Sequence, residues 1–283
     1  MEASVGPGLG VGREVGLAAG VVAGGAGGLA ARATPLPIRR GERLFVELAS
    51  GEAEVRESQA LRYRVFAEEL GARLRGDTPG LDVDELDAYC QHLLVREART
   101  GRVVGSTRLL TDDQARRIGR FYSEGEFELG AIARLPGRLL EVGRTCIAPQ
   151  YRQGSAIAVL WAGLAGFVYL HGIDYLFGCA SIPLGEDDVQ AAAMMNRIRR
   201  LAMSDATLRV TPRLPLHTPQ APEDVLDAPL PALLKAYIRL GAKACGEPCR
   251  DPDFGVADVL MLLDVKDLNP TYSRHFLERV TDA

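Results

Sequence analysis

The sequence predicts a mixed α/β fold: a central sheet with helices on both of its faces. Three observations point there. From about residue 41 onward, strand-like and helix-like segments alternate in the order strand, helix, hairpin, strand, helix, strand, helix and late strand. One strand candidate, Leu139 to Ile147, passes through a short polar loop directly into a long apolar run, Ala156 to His171. The 283 residues, 47% hydrophobic and 25% charged, also have the composition and length of a soluble globular chain with a sizeable core.

Each element has its own signal. Arg43 to Ala49 mixes apolar and polar positions as a strand does, and Ser50 and Gly51 break it. Glu52 to Leu70 carries Val55, Leu61, Val65 and Phe66 near helical spacing and stops at Gly71. Leu74 to Leu86, rich in Asp and Gly, reads as a loop. Cys90 to Glu97 and Arg102 to Leu110 form a hairpin pattern about Thr100 and Gly101. A charged helix or loop leads to the strand Leu139 to Ile147, which Pro149 ends. The helix Ala156 to His171 closes at Gly172, and the strand Ile173 to Ile182 stops at Pro183. Glu186 to Met203 reads as a helix with Asp187 and Asp188 in its first turn, where they suit the dipole. Thr211 to Pro231, with its repeated prolines, reads as irregular. Leu233 to Lys243 is an amphipathic helix that packs on the sheet or lies at a membrane interface, and Val256 to Val265 closes the fold as a strand.

Residues 41–283 thus form one domain. Residues 1–40 read as a Gly/Ala-rich leader without fixed structure, or as a weak membrane contact: Val15 to Ala31 is uncharged, yet its glycine density weakens any helix. A net charge of −4 excludes nucleic-acid binding by phosphate neutralisation. The five scattered cysteines fit a reducing, cytoplasmic compartment better than a disulfide framework. No metal site is expected, since Cys245 and Cys249 lack a second ligand pair and His92, His171, His217 and His275 show no ligand spacing.

Chemistry concentrates in Glu141 to Leu160. A strand, a Tyr-Arg-Gln-Gly-Ser loop and a helix follow one another, so unpaired N–H groups at the helix start face whatever docks there. A pyrophosphate or the phosphate of a pantetheine arm is the natural guest. This segment resembles the acyl-donor motif of the GNAT superfamily, Arg/Gln-x-x-Gly-x-Gly/Ala. The resemblance implies a donor site at Arg152, Gln153, Gly154 and Ser155. Ser155 and Ile157 stand where that superfamily has glycines, a departure that argues against tight coenzyme A pyrophosphate binding and leaves room for a carrier-protein donor.

An ordered series narrows this further: Leu61 to Gly71, Asp84-x-x-Asp87, Gly105-x-x-Arg108 and Glu141-x-x-Arg144. It is similar to that of the acyl-homoserine lactone synthases. That likeness implies an amine-substrate pocket shaped by Arg62, Phe66, Asp84, Asp87, Arg108 and Arg144, with Glu141 as general base. The chemistry is consistent: an amino acid's amine must lose a proton before it attacks, and a carboxylate can take it directly or through water. Backbone N–H groups beside the strand would stabilise the oxyanion. Arg108 and Arg144 would hold the acceptor's carboxylate. Asp84 and Asp87 either recognise a cationic side chain or cap a loop. Strand alternation puts Glu141 and Arg144 on opposite faces unless a bulge intervenes.

The run Leu234 to Leu260, continued by Asn269 to Phe276, looks like that of the bacterial ornithine lipid acyltransferases. The resemblance extends over residues 43 to 277. It implies that a 3-hydroxyacyl chain moves from the phosphopantetheine of acyl carrier protein, with no tightly bound cofactor, to the α-amine of ornithine. The product would be lyso-ornithine lipid, made in the cytoplasm with possible peripheral contact to the membrane's inner face. The alternatives are another amino-acid N-acyltransferase, a lactone-type signal synthase, or a non-catalytic binding module of this fold. An acidic carrier protein would dock on a basic face, with Arg197, Arg199 and Arg200 or Arg39, Arg40 and Arg43 as the candidate clusters. His92, Cys179, Ser181, Tyr169 and Tyr175 read as structural residues, and Cys146 as no covalent carrier.

Overall fold

The structure, a computed structural model, describes residues 43–216 and 228–268. The proposed leader, His217, His275, Arg39, Arg40 and the run Asn269 to Phe276 lie outside the described residues.

The chain opens with β1 (Leu44–Leu48) and α1 (Glu52–Tyr63), which continues as a π-helical turn over Arg64–Glu69. The hairpin β2 (Gln91–Glu97) and β3 (Val103–Thr111) follows, then α2 (Asp112–Ile118), the short β4 (Phe127–Glu128) and β5 (Leu139–Ile147). Next come α3 (Ala156–His171), β6 (Tyr175–Pro183), α4 (Val189–Ala202), β7 (Thr211–Pro212) and α5 (Ala232–Leu240). The short β8 (Lys243–Ala244) and β9 (Cys249–Asp251) precede β10 (Val256–Asp264). The main sheet runs β1-β2-β3-β5-β6-β10-β8, with β9 also paired to β10. Every pairing in it is antiparallel except β5 with β6.

Helices cover both faces, as the pattern predicts. Ser58 on α1 meets Ser106 on β3 at 2.6 Å, and Arg96 on β2 reaches Glu57 on α1 at 2.7 Å. Opposite, α3 lies so close to the sheet that a Cβ on Gly163 would come within 2.5 Å of Val46. The residues facing α1 and those facing α3 alternate along β2 and β3, as a pleated strand requires. At the far edge, α4 and α5 bury Met195, Ile198 and Leu234 against Val259 and Ile182.

The predicted boundaries hold closely for α3, which Gly172 closes at φ 59°. They fail before α4. The α-helix starts only at Val189, because Asp188 takes a left-handed conformation (φ 61°) and pairs with Arg250 on β9 instead of flanking a first turn. Packing against the sheet decides α5: Leu234 and Leu240 are buried in the core. The irregular stretch holds β7, while its residues 217–227 lie outside the described part.

Candidate active site

Two irregularities in β5 build the site. The first is a bulge. Ser106 pairs with Cys146, but Arg108 pairs with Gly143, so β5 carries one extra residue between the two rungs. Arg144 sits in it at φ 51°, a left-handed conformation costly for a side chain of this type. The bulge turns Arg144 onto the α1 face, the face that Glu141 and Arg108 already share. The second is a splay. β5 and β6 pair only from Leu139↔Tyr175 to Glu141↔Phe177 and then part. Gly178 is needed at the parting point, since a Cβ there would lie 2.2 Å from the Val142 carbonyl oxygen.

On the α1 face, the residues expected to shape the pocket divide into a buried frame and a lining. Arg62 is fully buried and donates to Asp82 at 2.8 Å and to both oxygens of Asp87 at 2.8 Å. Arg108 donates to Asp84 at 2.6 Å and to Asp87 at 3.0 Å, and Gln59 adds a bond to Asp87 at 2.9 Å. Burial pushes the Asp87 carboxyl up. The Arg62 hydrogen bonds and the charges of Arg62 and Arg108 outweigh it, holding the group well below the usual carboxylate range. Arg62, Asp87 and Arg108 therefore support the pocket from behind, and Asp87 has no capacity left for a substrate amine. Asp84 and Arg144 reach the opening itself.

Arg144 is one of several cations lining that opening, with Arg73, Arg75, Arg120, Arg213 and Arg250, and it is the one enclosed by aromatic rings. Its guanidinium lies 4.9 Å from the ring centroids of both Tyr122 and Phe254 and donates to the Tyr122 hydroxyl at 3.0 Å. Asp82 steadies it from behind at 3.3 Å. Phe66, from the π-helical turn, packs edge-on against Phe254 at 5.5 Å, which explains its place in the series.

Glu141, the expected general base, is buried behind the turn at Tyr122. Its buried carboxylate accepts from the Tyr122 and Ser123 N–H groups, both at 2.7 Å, and from the Ser123 hydroxyl. It fastens the turn that carries Tyr122 and does not line the opening. Burial raises its pKa, opposed by the Ser123 and Tyr122 bonds and the Arg108 charge.

The opening is a cavity of 540 Å³ between this arginine wall and the β9–β10 turn. Sequence reasoning missed its acidic side. Glu126 and Asp251 line it, with Asp258 just behind, and one oxygen of each lies within 4.8 Å of the others. Among the described residues none of the three has an ion-pair partner, and Glu126 Oε2 is buried without a hydrogen bond. Burial and the neighbouring carboxylates push Glu126 up, and burial does the same to Asp258 against its bond from Ser181. Such a group is completed by a cation or a shared proton. Glu126 lies about 130 positions before Asp251 and Asp258 in the sequence and the three carry no local motif, so only the fold assembles them.

Beyond the splay, on the α3 face, lie apolar cavities lined by Val142, Trp161, Leu164 and Tyr237. The donor loop sits at the α3 N-terminus, where no side chain caps the helix. Gln153, Gly154 and Ser155 are exposed there. Arg152 turns away from the helix mouth, donating to both Glu69 oxygens at 2.5 and 2.7 Å and to the Ile147 carbonyl at 3.0 Å. Cys146 is buried, which pushes its thiol up to about 12 and leaves it unreactive. His92 is a core residue bonded to the Asp87 carbonyl at 3.2 Å.

A strand-to-helix loop with an uncapped helix start, a splayed parallel strand pair and a charged cavity beside it fit a GNAT-type acyltransferase. The family described as "Acetyltransferase (GNAT) domain" matches residues 61–162. The L-ornithine N(alpha)-acyltransferase of Rhizobium meliloti (strain 1021) is 36% identical over 249 residues, 82% of this chain and 84% of that protein. That of Rhodobacter capsulatus is 34% identical over 247 residues, 83% of this chain and 95% of that protein. This chain belongs to the L-ornithine N(alpha)-acyltransferase family. In fold it is similar to the CoA-dependent acyl-homoserine lactone synthase BjaI, with a TM-score of 0.50 at 16% identity over 84% of this chain and 90% of that one. Among the described residues, no helix is long and apolar enough to cross a membrane.

Proposed function

We propose that the protein transfers a 3-hydroxyacyl chain from the phosphopantetheine thioester of acyl carrier protein to the α-amine of L-ornithine, giving lyso-ornithine lipid. One observation carries this reading: beside the β5–β6 splay the protein has a cavity charged with both signs near Arg144 and apolar cavities that start at Val142, Gly178 and Cys179. A dibasic amino acid matches the first, and an acyl chain matches the second.

Arg144 pairs with the acceptor's α-carboxylate, and Glu126 with Asp251 takes the side-chain ammonium. That arrangement turns the α-amine toward the splay. The neutral amine nitrogen attacks the thioester carbonyl, a C–N bond forms and the C–S bond breaks. The thiolate takes up a proton from solvent, while Glu141 afterwards returns the amine's proton to solvent. The amine's proton moves to the Ser123 oxygen as the Ser123 hydroxyl proton moves to Glu141, whose raised pKa suits it to that task. Backbone N–H groups freed by the splay hold the oxyanion. The pantetheine phosphate rests on the α3 N-terminus around Gln153, Gly154 and Ser155, beside a groove bordered by Arg64, Arg102 and Gln150. Glu57, Glu68 and Glu69 border this groove together with the arginines, and Arg199 is tied to Glu247 at 3.0 Å, so neither is an uncompensated basic face for an acidic carrier protein. Tyr169 and Leu170, 59% and 76% exposed at the end of α3, suit peripheral contact with a membrane that receives the product.

The test is product formation, followed by mass spectrometry, from 3-hydroxyacyl carrier protein and a panel of amino acids. Acylated ornithine supports the reading. Product with glycine or glutamine but not ornithine would overturn the acceptor and leave the reaction class standing.

A further inference from the structure

The apolar space on the α3 face is divided in a way that bears on chain length. An inner compartment of 50 Å³ opens at the splay, between Val142 on β5 and Gly178 and Cys179 on β6. An outer compartment of 310 Å³ continues beneath α3 toward Ala165, Tyr169 and Gly172. The two share walls: Trp161, Leu164, Leu176, Leu240 and Leu263 line both. Trp161 is the largest of these, and its ring lies 5.2 Å from that of Tyr237, tilted at 53°. Tyr237 borders only the inner compartment and so pins the indole from the splay side.

We propose that the donor's acyl chain threads from the splay through the inner compartment, passes Trp161, and lays its distal methylenes in the outer compartment. Trp161, held by Tyr237, is then the neck that grades chains by length. This rests on the acyl-transfer reading but not on ornithine as acceptor. The geometry commits to an acyl tail as occupant. The thioester carbonyl must stand at the splay for the amine to reach it from the opposite face, and both compartments continue from that point with apolar walls. The inner compartment is too small for more than the first few carbons. Each further methylene that reaches the outer one gains about fourfold in binding from burial. Chains too short to pass Trp161 forgo that gain, and chains that fill the outer compartment reach a plateau. Ala165 borders the outer compartment and not the inner one, so enlarging it fills outer space past Trp161 and leaves the inner compartment as it is.

Trp161 is the single tryptophan of the chain, so its fluorescence reports occupancy without turnover. Titrate the full-length protein with saturated fatty acids of four to sixteen carbons, below their micelle concentrations, and follow the emission. Chains that reach the neck should give a saturable blue shift and the shortest chains none, with affinity rising with length thereafter. In Ala165→Phe, binding of the sixteen-carbon probe should weaken at least tenfold while that of the eight-carbon probe stays within twofold. Emission that ignores chain length, or an equal effect of Ala165→Phe on both probes, would overturn the proposal. A normal fluorescence response with no acylation of ornithine would instead count against the acceptor assignment and leave the channel intact.

Discussion

Glu141 and Arg144 face the same side of the sheet although three positions apart on one strand. Only the bulge allows this. A regular β5 would send Arg144 to the α3 face, toward the apolar cavities, and leave Tyr122 and Phe254 without the cation they enclose. The strained backbone at Arg144 is thus tied to the charged cavity, since it is what brings this cation there.

Arg144→Ala and Arg144→Gly should both lose the carboxylate clamp, raising KM for the acceptor at least tenfold. The two should differ in stability. At φ 51° glycine is unstrained and alanine is not, so Arg144→Gly should be the more stable by about 1 kcal/mol, a difference of about 2–4 °C in Tm for a domain of this size. Thermal melts of the pair check it. Equal midpoints would mean that the backbone relaxes once the arginine is gone.

The buried frame should behave as structure and not as a binding surface. Arg62→Met strands Asp82 and Asp87 without their main cation in a dry setting, and a loss of about 3–5 kcal/mol is expected. Denaturant melts measure it. A folded, stable Arg62→Met with a raised KM would return Arg62 to the substrate pocket.

Glu141→Gln and Ser123→Ala separate holding the turn from moving a proton. If the proton passes through Ser123, each variant should cut turnover about a hundredfold or more with KM little changed. Ser123→Ala keeps both N–H bonds to Glu141, so the Tyr122 turn should survive. Near-normal turnover in Ser123→Ala would reduce Glu141 to a positioning residue.

The acidic group makes stability depend on pH in a stated direction. Glu126 and Asp258 have raised folded pKa values, so they favour folding when protonated, and that contribution is lost as pH rises through those values. Glu126→Gln should therefore be more stable than the parent at pH 8, with the gap closing toward pH 5. Ornithine should raise the parent's Tm more at pH 8 than at pH 6, because a bound ammonium compensates the charged carboxylates. The variant should lose that pH dependence and show a raised KM for ornithine. A thermal-shift series over pH settles the matter.

Local patterns showed most of the fold and only part of the site. The α3 helix was readable end to end because its apolar run stops at a glycine that can adopt positive φ. The ordered charges from Arg62 to Arg144 were also readable, and the structure does gather them. Their division into frame and lining was not, since it depends on which carboxylate each arginine meets across the sheet. Nor could spacing show Tyr122, Phe254 and the Glu126–Asp251–Asp258 group. The relevant turns are brought together by β9, three residues long and without a strand signature of its own. Asp188 misled for the same reason: its partner Arg250 sits on that strand.

The donor loop bears on which thioester is used. A coenzyme A pyrophosphate would call on the Arg152 side chain, but that guanidinium is held by both oxygens of Glu69, whose pKa the Arg152 hydrogen bond lowers. The helix N-terminus alone remains, and it suits the single phosphate of a carrier-bound pantetheine arm. Acyl carrier protein thioester should therefore exceed acyl-coenzyme A in kcat/KM by at least tenfold. Glu69→Ala should narrow that ratio by freeing Arg152, mainly through a lower KM for acyl-coenzyme A, because the change lies in binding and not at the reacting carbon. Glu69 and Arg152 are both partly exposed, so the variant should fold normally. Equal use of both donors by the parent protein would show that the Arg152–Glu69 pair opens in the presence of pyrophosphate and sets no preference.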